Sequence, residues 1–262
     1  MRANQAFIIA ASALTLTACA VSEPPPPPAP MPANYTGDVK NGLKHGNGVY
    51  SFPSGSQYEG QFVDDVKNGQ GKLRFASGDT YKGDFANGKI SGHGIHHYRN
   101  GDVYVGGFSE SAKHGQGEYR FATGEKYVGD YAKDKITGRG AWLYPNGDRY
   151  EGDFRNGVRE GTGTYYFASG SKYEGNFAAN YFHGQGSYDF ADGRKYSGEF
   201  VQDQITGQGV LTYPDGEKYS GDFVNGRYHG HGTLSFAQDR VPLVGRWHDG
   251  YFVTYEKSSW HY

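Results

Sequence analysis

The chain is short of the materials from which most globular cores are made. Of its 262 residues only Cys19 is a cysteine and two are methionines, and aliphatic side chains are sparse beside 23 tyrosines and 16 phenylalanines. A single thiol excludes an intramolecular disulfide framework. With so little leucine, isoleucine and valine, the interior has to be built from aromatic rings, each able to bury about 150–250 Å². There is no excess of basic charge either: 26 Lys and Arg stand against 28 Asp and Glu, a formal net charge of −2. That balance lacks the footprint of a nucleic-acid binder and gives no general attraction to anionic lipid. Nor is there an apolar run of the ~20 residues a spanning helix needs; the run Ala6–Leu16 is well short of it.

What the chain has in abundance is glycine, 42 residues, and a strict period. Tyrosine stands at positions 35, 58, 81, 104, 127, 150, 173, 196 and 219, every interval being 23 residues. Nine steps without an insertion describe one unit copied in register, which buries its apolar face only against its neighbours. Counting each tyrosine as offset 0, glycine follows at offsets 2, 11 and 13 in all nine copies, for instance Gly129, Gly138 and Gly140. Offset 4 is aromatic in eight copies and Val39 in the first. Offset 17 is Phe or Tyr throughout, and offset 20 is glycine except at Asp239.

Aromatic-x-Gly-x-aromatic has the period of two that puts all three residues on one face of a strand. Offsets 13, 15 and 17 repeat it, as in Gly140, Trp142 and Tyr144. Each unit therefore reads as a β-hairpin, and Pro145-Asn146-Gly147 and Pro214-Asp215-Gly216 read as its tight turns. A looser glycine-rich connection is expected at offsets 5–11. The fold class this predicts is all-β: an elongated single layer of stacked antiparallel hairpins. Two strands per unit at ~4.8 Å give about 9.6 Å of rise, or about 86 Å for nine units.

The pattern Y-x-G-x-F…(H/N)-G-x-G-x-x-x-F-x-x-G resembles the MORN repeat (membrane occupation and recognition nexus), with 104–126 (YVGGFSESAKHGQGEYRFATGEK) and 173–195 (YEGNFAANYFHGQGSYDFADGRK) as close matches. The resemblance implies a twisted hairpin ribbon acting as a spacer, tether or dimerisation module. Offset 10, where the family favours His, is His45, His114, His183 and His229 but Asn68, Ser91, Thr137, Glu160 and Thr206 elsewhere, so the fold does not require it.

Residues outside the array divide into three segments. Arg2, the short apolar run and Leu16-Thr17-Ala18-Cys19 together resemble a bacterial lipoprotein signal, residues 1–18, with Cys19 as the lipidated residue. The other reading is ordinary cleavage near Ala18 or Ala20, which leaves a free thiol. Residues 19–34 carry the proline run 24–28 with Pro30 and Pro32, a polyproline stalk of about 3.1 Å per residue. The nine repeats occupy 35–241. Residues 242–262, with Leu243-Val244-Gly245-Arg246-Trp247 one residue out of register and then Phe252, Tyr255 and Trp260, read as a terminal cap that closes the open edge or as a partial repeat.

No residue set points to catalysis. Serines and carboxylates form neither a nucleophile elbow nor a paired constellation that stands apart from the repeat. The histidine groups His93, His96, His97 and His229, His231, His248 lack further ligands in the sequence, so neither a metal nor any other cofactor is expected. One feature exceeds the needs of the fold. The residue before the tyrosine is basic at five successive boundaries, Lys126, Arg149, Lys172, Lys195 and Lys218. Four residues on come Asp130, Asp153, Asn176, Glu199 and Asp222. Both rows are expected on the face away from the rings, either as a solvated surface or as a docking track for an acidic or zwitterionic partner. The functional expectation is a non-catalytic, lipid-anchored envelope scaffold, outer-membrane and facing the periplasm or surface, that binds a protein partner or itself. The alternatives are a glycan- or peptidoglycan-binding module and a phospholipid-binding module.

Overall fold

A computed structural model describes residues 34–237 and 240–255. The signal segment, Cys19, the proline stalk, Asp239 and Trp260 lie outside the described residues. The described chain forms two units, 34–145 and 146–255. The first holds β1 (Asn34–Lys40), β2 (Leu43–Ser51), β3 (Gln57–Val63), β4 (Val66–Arg74), β5 (Thr80–Ala86), β6 (Lys89–His97), β7 (Val103–Ser109), β8 (Ala112–Arg120), β9 (Lys126–Ala132) and β10 (Lys135–Leu143). The second holds β11 (Arg149–Arg155), β12 (Val158–Tyr166), β13 (Lys172–Ala178), β14 (Tyr181–Asp189), β15 (Lys195–Val201), β16 (Gln204–Thr212), β17 (Lys218–Val224), β18 (Arg227–Ser235), β19 (Leu243–His248) and β20 (Tyr251–Tyr255). Within each unit every strand pairs antiparallel with its neighbours in sequence, as the hairpin reading expects.

The glycines are explained by the tyrosine. In each hairpin the offset 2 and offset 13 glycines face each other, as Gly129 faces Gly140 and Gly152 faces Gly163. The tyrosine ring of the same unit lies over this pair: a Cβ on Gly140 would stand 2.5 Å from the Tyr127 Oη and 2.6 Å from its Cε2. From there the hydroxyl donates to the carbonyl of offset 3, at 3.2 Å from Tyr127 to Asp130 and 3.0 Å from Tyr150 to Asp153. Tyr58, Tyr81, Tyr104, Tyr127, Tyr150, Tyr173 and Tyr219 are fully buried. Each meets the offset 4 ring of its own repeat edge-on and, within a unit, that of the next repeat likewise: Tyr81 lies 5.3 Å from Phe85 and 5.2 Å from Phe108. Edge-to-face pairs of this kind contribute about 0.5–1.5 kcal/mol beyond area burial, and here they link one hairpin to the next. Burial pushes the Tyr58 hydroxyl up to about 12. The folded state thus favours the protonated phenol; that stabilisation is complete below the ordinary value of about 10 and is lost as pH rises toward the folded one.

The turns are not where the sequence reading put them. The tight turn is at offsets 6 and 7, where both residues have positive φ: Lys133 +50° and Asp134 +66°, Glu110 +54° and Ser111 +67°. That is type I′ geometry, whose twist matches the strands it joins. Asn41-Gly42, Asn87-Gly88, Asn156-Gly157 and Asn225-Gly226 carry the Asn-Gly signal at this place, which the sequence reading passed over in favour of the second Asn-Gly and Asp-Gly pairs at offsets 19 and 20; pairs such as Lys133-Asp134 and Gln202-Asp203 lack it. Pro145-Asn146-Gly147 instead belongs to the longer connection at offsets 17–21, of the kind closed by the Phe121 N–H on the Glu125 carbonyl and the Gly124 N–H on Phe121, both 2.9 Å.

The glycine at offset 11 lies within a strand, at a bulge. In β10 the register jumps between Ile136 and Gly140, and Gly138 there has φ +59°. A carboxylate from offset 3 holds the bulge by taking the offset 12 N–H, at 2.9 Å for Asp130 with Arg139, 2.9 Å for Asp153 with Thr162 and 2.7 Å for Asp222 with His231. Asp153 also accepts from the Thr162 hydroxyl at 2.9 Å. Asp153→Ala is therefore expected to cost about 1–2 kcal/mol, read as a lower urea midpoint at unchanged slope. An unmoved midpoint would mean that water replaces the carboxylate at no cost.

The last hairpin follows the repeat plan. The extra residue falls between Phe236 and Leu243, and β19 then continues the repeat plan, with Gly232 facing Gly245 and Trp247 in the offset 4 place, 5.3 Å from Tyr219. Beyond it β20 pairs with β19 and presents Tyr251, Val253 and Tyr255 to solvent.

Candidate functional site

Two faces result. On the polar face, the structure places the five predicted cations as the strand parity requires, but most are already engaged. In the first unit Lys126 Nζ lies 3.5 Å from Glu118. In the second, Arg149 lies 3.0 Å from Glu151 and its guanidinium sits 4.3 Å above the Tyr166 ring. Lys172 donates to Glu174 at 3.1 Å, a bond that raises its pKa, and Lys195 lies 3.7 Å from Asp189. Lys218 is exposed and has no ion-pair partner among the described residues. Exposed pairs of this sort contribute about 0–1 kcal/mol, so they mainly neutralise the surface.

The acidic row of the expected track has a different role. Asp130, Asp153 and Asp222 hold their bulges, and Asn176 donates to the Gln185 carbonyl at 3.2 Å in the equivalent place. Asp84, Asp130 and Asp222 also accept from the side chains of Gln70, Gln116 and Gln208 on the preceding strand. These carboxylates belong to the fold. The signal that could have revealed it is their fixed distance from the offset 11 glycine.

On the aromatic face, the rings at offsets 15 and 17 form a half-buried row. In the first unit Phe75 stacks on His96 at 5.4 Å, His96 on Tyr98 at 4.1 Å, and Phe121 on Trp142 at 5.3 Å. Tyr119 links them, 5.7 Å from Tyr98 and 4.5 Å from Phe121. The second unit has the shorter run Tyr165, Phe167, Tyr188 and Phe190. Hydroxyls in these rows are committed: Tyr119 donates to Asp102 and Tyr165 to Asp148, both at 2.8 Å. Burial opposes the charge of Asp102, yet bonds from the Ala122 N–H, Tyr119 and Asn100 outweigh it and hold its carboxyl below the usual range. Burial likewise lowers the pKa of His96, which keeps the stacked imidazole neutral.

Beside the rings stand cations at offset 9 that the sequence reading passed over. Lys44, Lys67, Lys113 and Arg159 each lie over ring faces at between 5.1 and 6.0 Å. Their signal was available: offset 9 is either basic or apolar in every repeat. Of the histidines, His93 and His97 are exposed, and His229 and His248 have ring centroids 5.0 Å apart. Among the described residues no three His, Cys, Asp or Glu side chains converge as metal ligands.

The repeat geometry and the sequence agree on a family. Nine segments match the MORN repeat: 35–57, 58–80, 81–103, 104–126, 127–149, 150–172, 173–193, 196–218 and 219–238. The chain belongs to the MORN repeat family. No curated protein matches it. Among solved structures it is similar to the TCP domain of Drosophila melanogaster SAS-4 (dCPAP), solved in complex with a proline-rich motif of Ana2 (dSTIL), at 18% identity and a TM-score of 0.38, over 58% of this chain and 84% of that one. It is also similar to the TCP10 domain of Danio rerio CPAP, solved with a peptide of Danio rerio STIL, at 14% identity and a TM-score of 0.30, over 81% of this chain and 99% of that one. Likenesses this weak carry nothing about partners or activity.

Proposed function

We propose that this chain is a non-catalytic scaffold, anchored through lipid on Cys19 in the bacterial cell envelope and sorted to the outer membrane facing the periplasm or surface, whose repeat array holds a protein partner or further copies of itself. The observation that carries the binding part of this reading is the half-buried row of rings flanked by offset 9 cations. Aromatic surface beside basic nitrogen is the composition from which protein interfaces draw most of their energy.

A glycan-binding module is the second reading, favoured by the regular spacing of the rings. Against it stands their mutual stacking: Phe75, His96 and Tyr98, and Phe121 with Trp142, turn ring faces toward each other, while a sugar needs an open face. Phospholipid binding draws little support from a formal net charge of −2 and a basic row that is mostly ion-paired.

An envelope pull-down with the full chain tests this, its eluates read for both proteins and sugar fragments. A specific protein is expected, released when Phe121 and Trp142 are both changed to Ser and retained by the triple variant Lys172→Glu, Lys195→Glu, Lys218→Glu. Release by the triple variant would instead move docking to the basic track. Muropeptides captured without a protein would overturn the scaffold reading.

A further inference from the structure

Offset 9 and the turn position of the following hairpin, offset 7, form a recurrent pair. Where offset 9 is cationic, the turn residue supplies an acceptor. Asp65 takes the Lys44 N–H at 2.9 Å and lies 2.8 Å from its Nζ; Asp134 takes the Lys113 N–H at 2.9 Å and lies 3.6 Å from its Nζ. Asn180 serves Arg159 in the same way, its Oδ1 accepting the N–H at 2.9 Å and its carbonyl the guanidinium at 2.7 Å. At two glycine turns offset 9 is uncharged: the Ile205 carbonyl accepts from the Gly226 N–H and the Tyr228 carbonyl from the Gly250 N–H.

Lys67 breaks the rule. It is cationic, and its turn residue is Gly88, whose N–H reaches the Lys67 carbonyl at 2.9 Å but which has no side chain to offer either nitrogen. The ammonium lies 5.3 Å from the Phe85 centroid and 5.6 Å from those of Phe52 and Tyr58, half-buried on the aromatic face, and burial lowers its pKa. Ring faces stabilise a cation, which compensates its desolvation only in part. There is space for an acceptor: a Cβ on Gly88 would meet nothing closer than Val66 Cγ1 at 3.6 Å.

We propose that Lys67 is a docking point for a carboxylate of an acidic partner segment, which takes the place that Asp65 and Asp134 fill for Lys44 and Lys113. It would receive the Lys67 Nζ and backbone N–H together, a charge-assisted pair of bonds. The inference rests on the aromatic face being the docking face, and it names the chemistry which that face recognises.

The test needs no knowledge of the partner. The full chain, labelled with ¹⁵N-lysine, is titrated with N-acetyl-aspartate amide and, in parallel, with N-acetyl-asparagine amide. A saturable shift of the Lys67 amide is expected with the first and not with the second. Gly88→Asp supplies the carboxylate from within; Asp65 and Asp134 already adopt the required backbone, at φ +70° and +66° beside +80° for Gly88. It is expected to weaken the probe at least tenfold, and to raise the melting temperature relative to the same change made in a Lys67→Met background. Equal shifts with both probes, no shift, or undiminished binding in Gly88→Asp would overturn the site. A failed envelope pull-down with this titration intact would reject the scaffold reading and leave the carboxylate site standing.

Discussion

Gly152→Val is expected to unfold its repeat. A Cβ at this position would stand 2.4 Å from the Tyr150 Oη, 2.5 Å from the Gly163 Cα and 2.5 Å from the Thr162 carbonyl oxygen. Two of these three atoms are backbone of the paired strand and cannot yield without breaking the ladder. The third belongs to a tyrosine that is fully buried and packed edge-on against Phe154 at 5.1 Å and Phe177 at 4.8 Å. Overpacking a core ordinarily costs about 1–3 kcal/mol, and the absence of any side chain able to turn aside puts this case at or beyond the upper end. In a repeat array each unit is stabilised by its neighbours, so loss of Tyr150 packing should spread to the following repeats. Thermal unfolding followed by near-ultraviolet circular dichroism should show a large fall in midpoint together with loss of tyrosine signal. Glu151→Val, on the preceding residue but directed to the opposite face, is the control and should stay within about 0.5 kcal/mol of wild type. If the two variants melted alike, the offset 2 glycines would not lie beneath the rings.

The second large effect is expected at Cys19, and it concerns location rather than stability. If this cysteine carries the lipid, the chain is held at the membrane by acyl chains, each buried CH₂ contributing about 0.8 kcal/mol. Neither a net charge of −2 nor the ion-paired basic row offers a substitute for that anchor. Cys19→Ser should therefore move nearly all of the protein from the membrane fraction to a soluble or uncleaved form and abolish palmitate labelling. Continued labelled membrane protein in the variant would refute lipidation at this residue.

The corrections share a physical origin. Sequence parity places a residue on a face, but it does not say which hydrogen bond that residue completes. The acids of the expected track read as a charged row because their alternation is that of a solvent-facing strand position; only the bulge at offset 11 brings the offset 12 N–H within 2.9 Å of Asp130 and Asp153. The turn was misplaced for a related reason. Asn-Gly and Asp-Gly pairs stand at two places in the repeat; at offsets 6 and 7 they form the type I′ turn, as at Asn87-Gly88, and other repeats meet that geometry with pairs such as Lys133-Asp134, held in positive φ by the strands on either side. Offset 9 went unremarked because it fell in what read as the glycine-rich connection at offsets 5–11, whereas in the fold it lies on a strand and Lys67 stands among three rings.

Fold class, repeat, family and the sharing of one strand face by aromatic rings and glycine are all written in the chain, because a strict 23-residue period and a period of two leave a hairpin array little choice. Which polar groups are committed and which are available emerges from the folded contacts. That distinction depends on contacts between residues 9 to 21 positions apart, such as Asp153 with Thr162 and Lys44 with Asp65, whose geometry follows from how bulges and turns set one strand against the next.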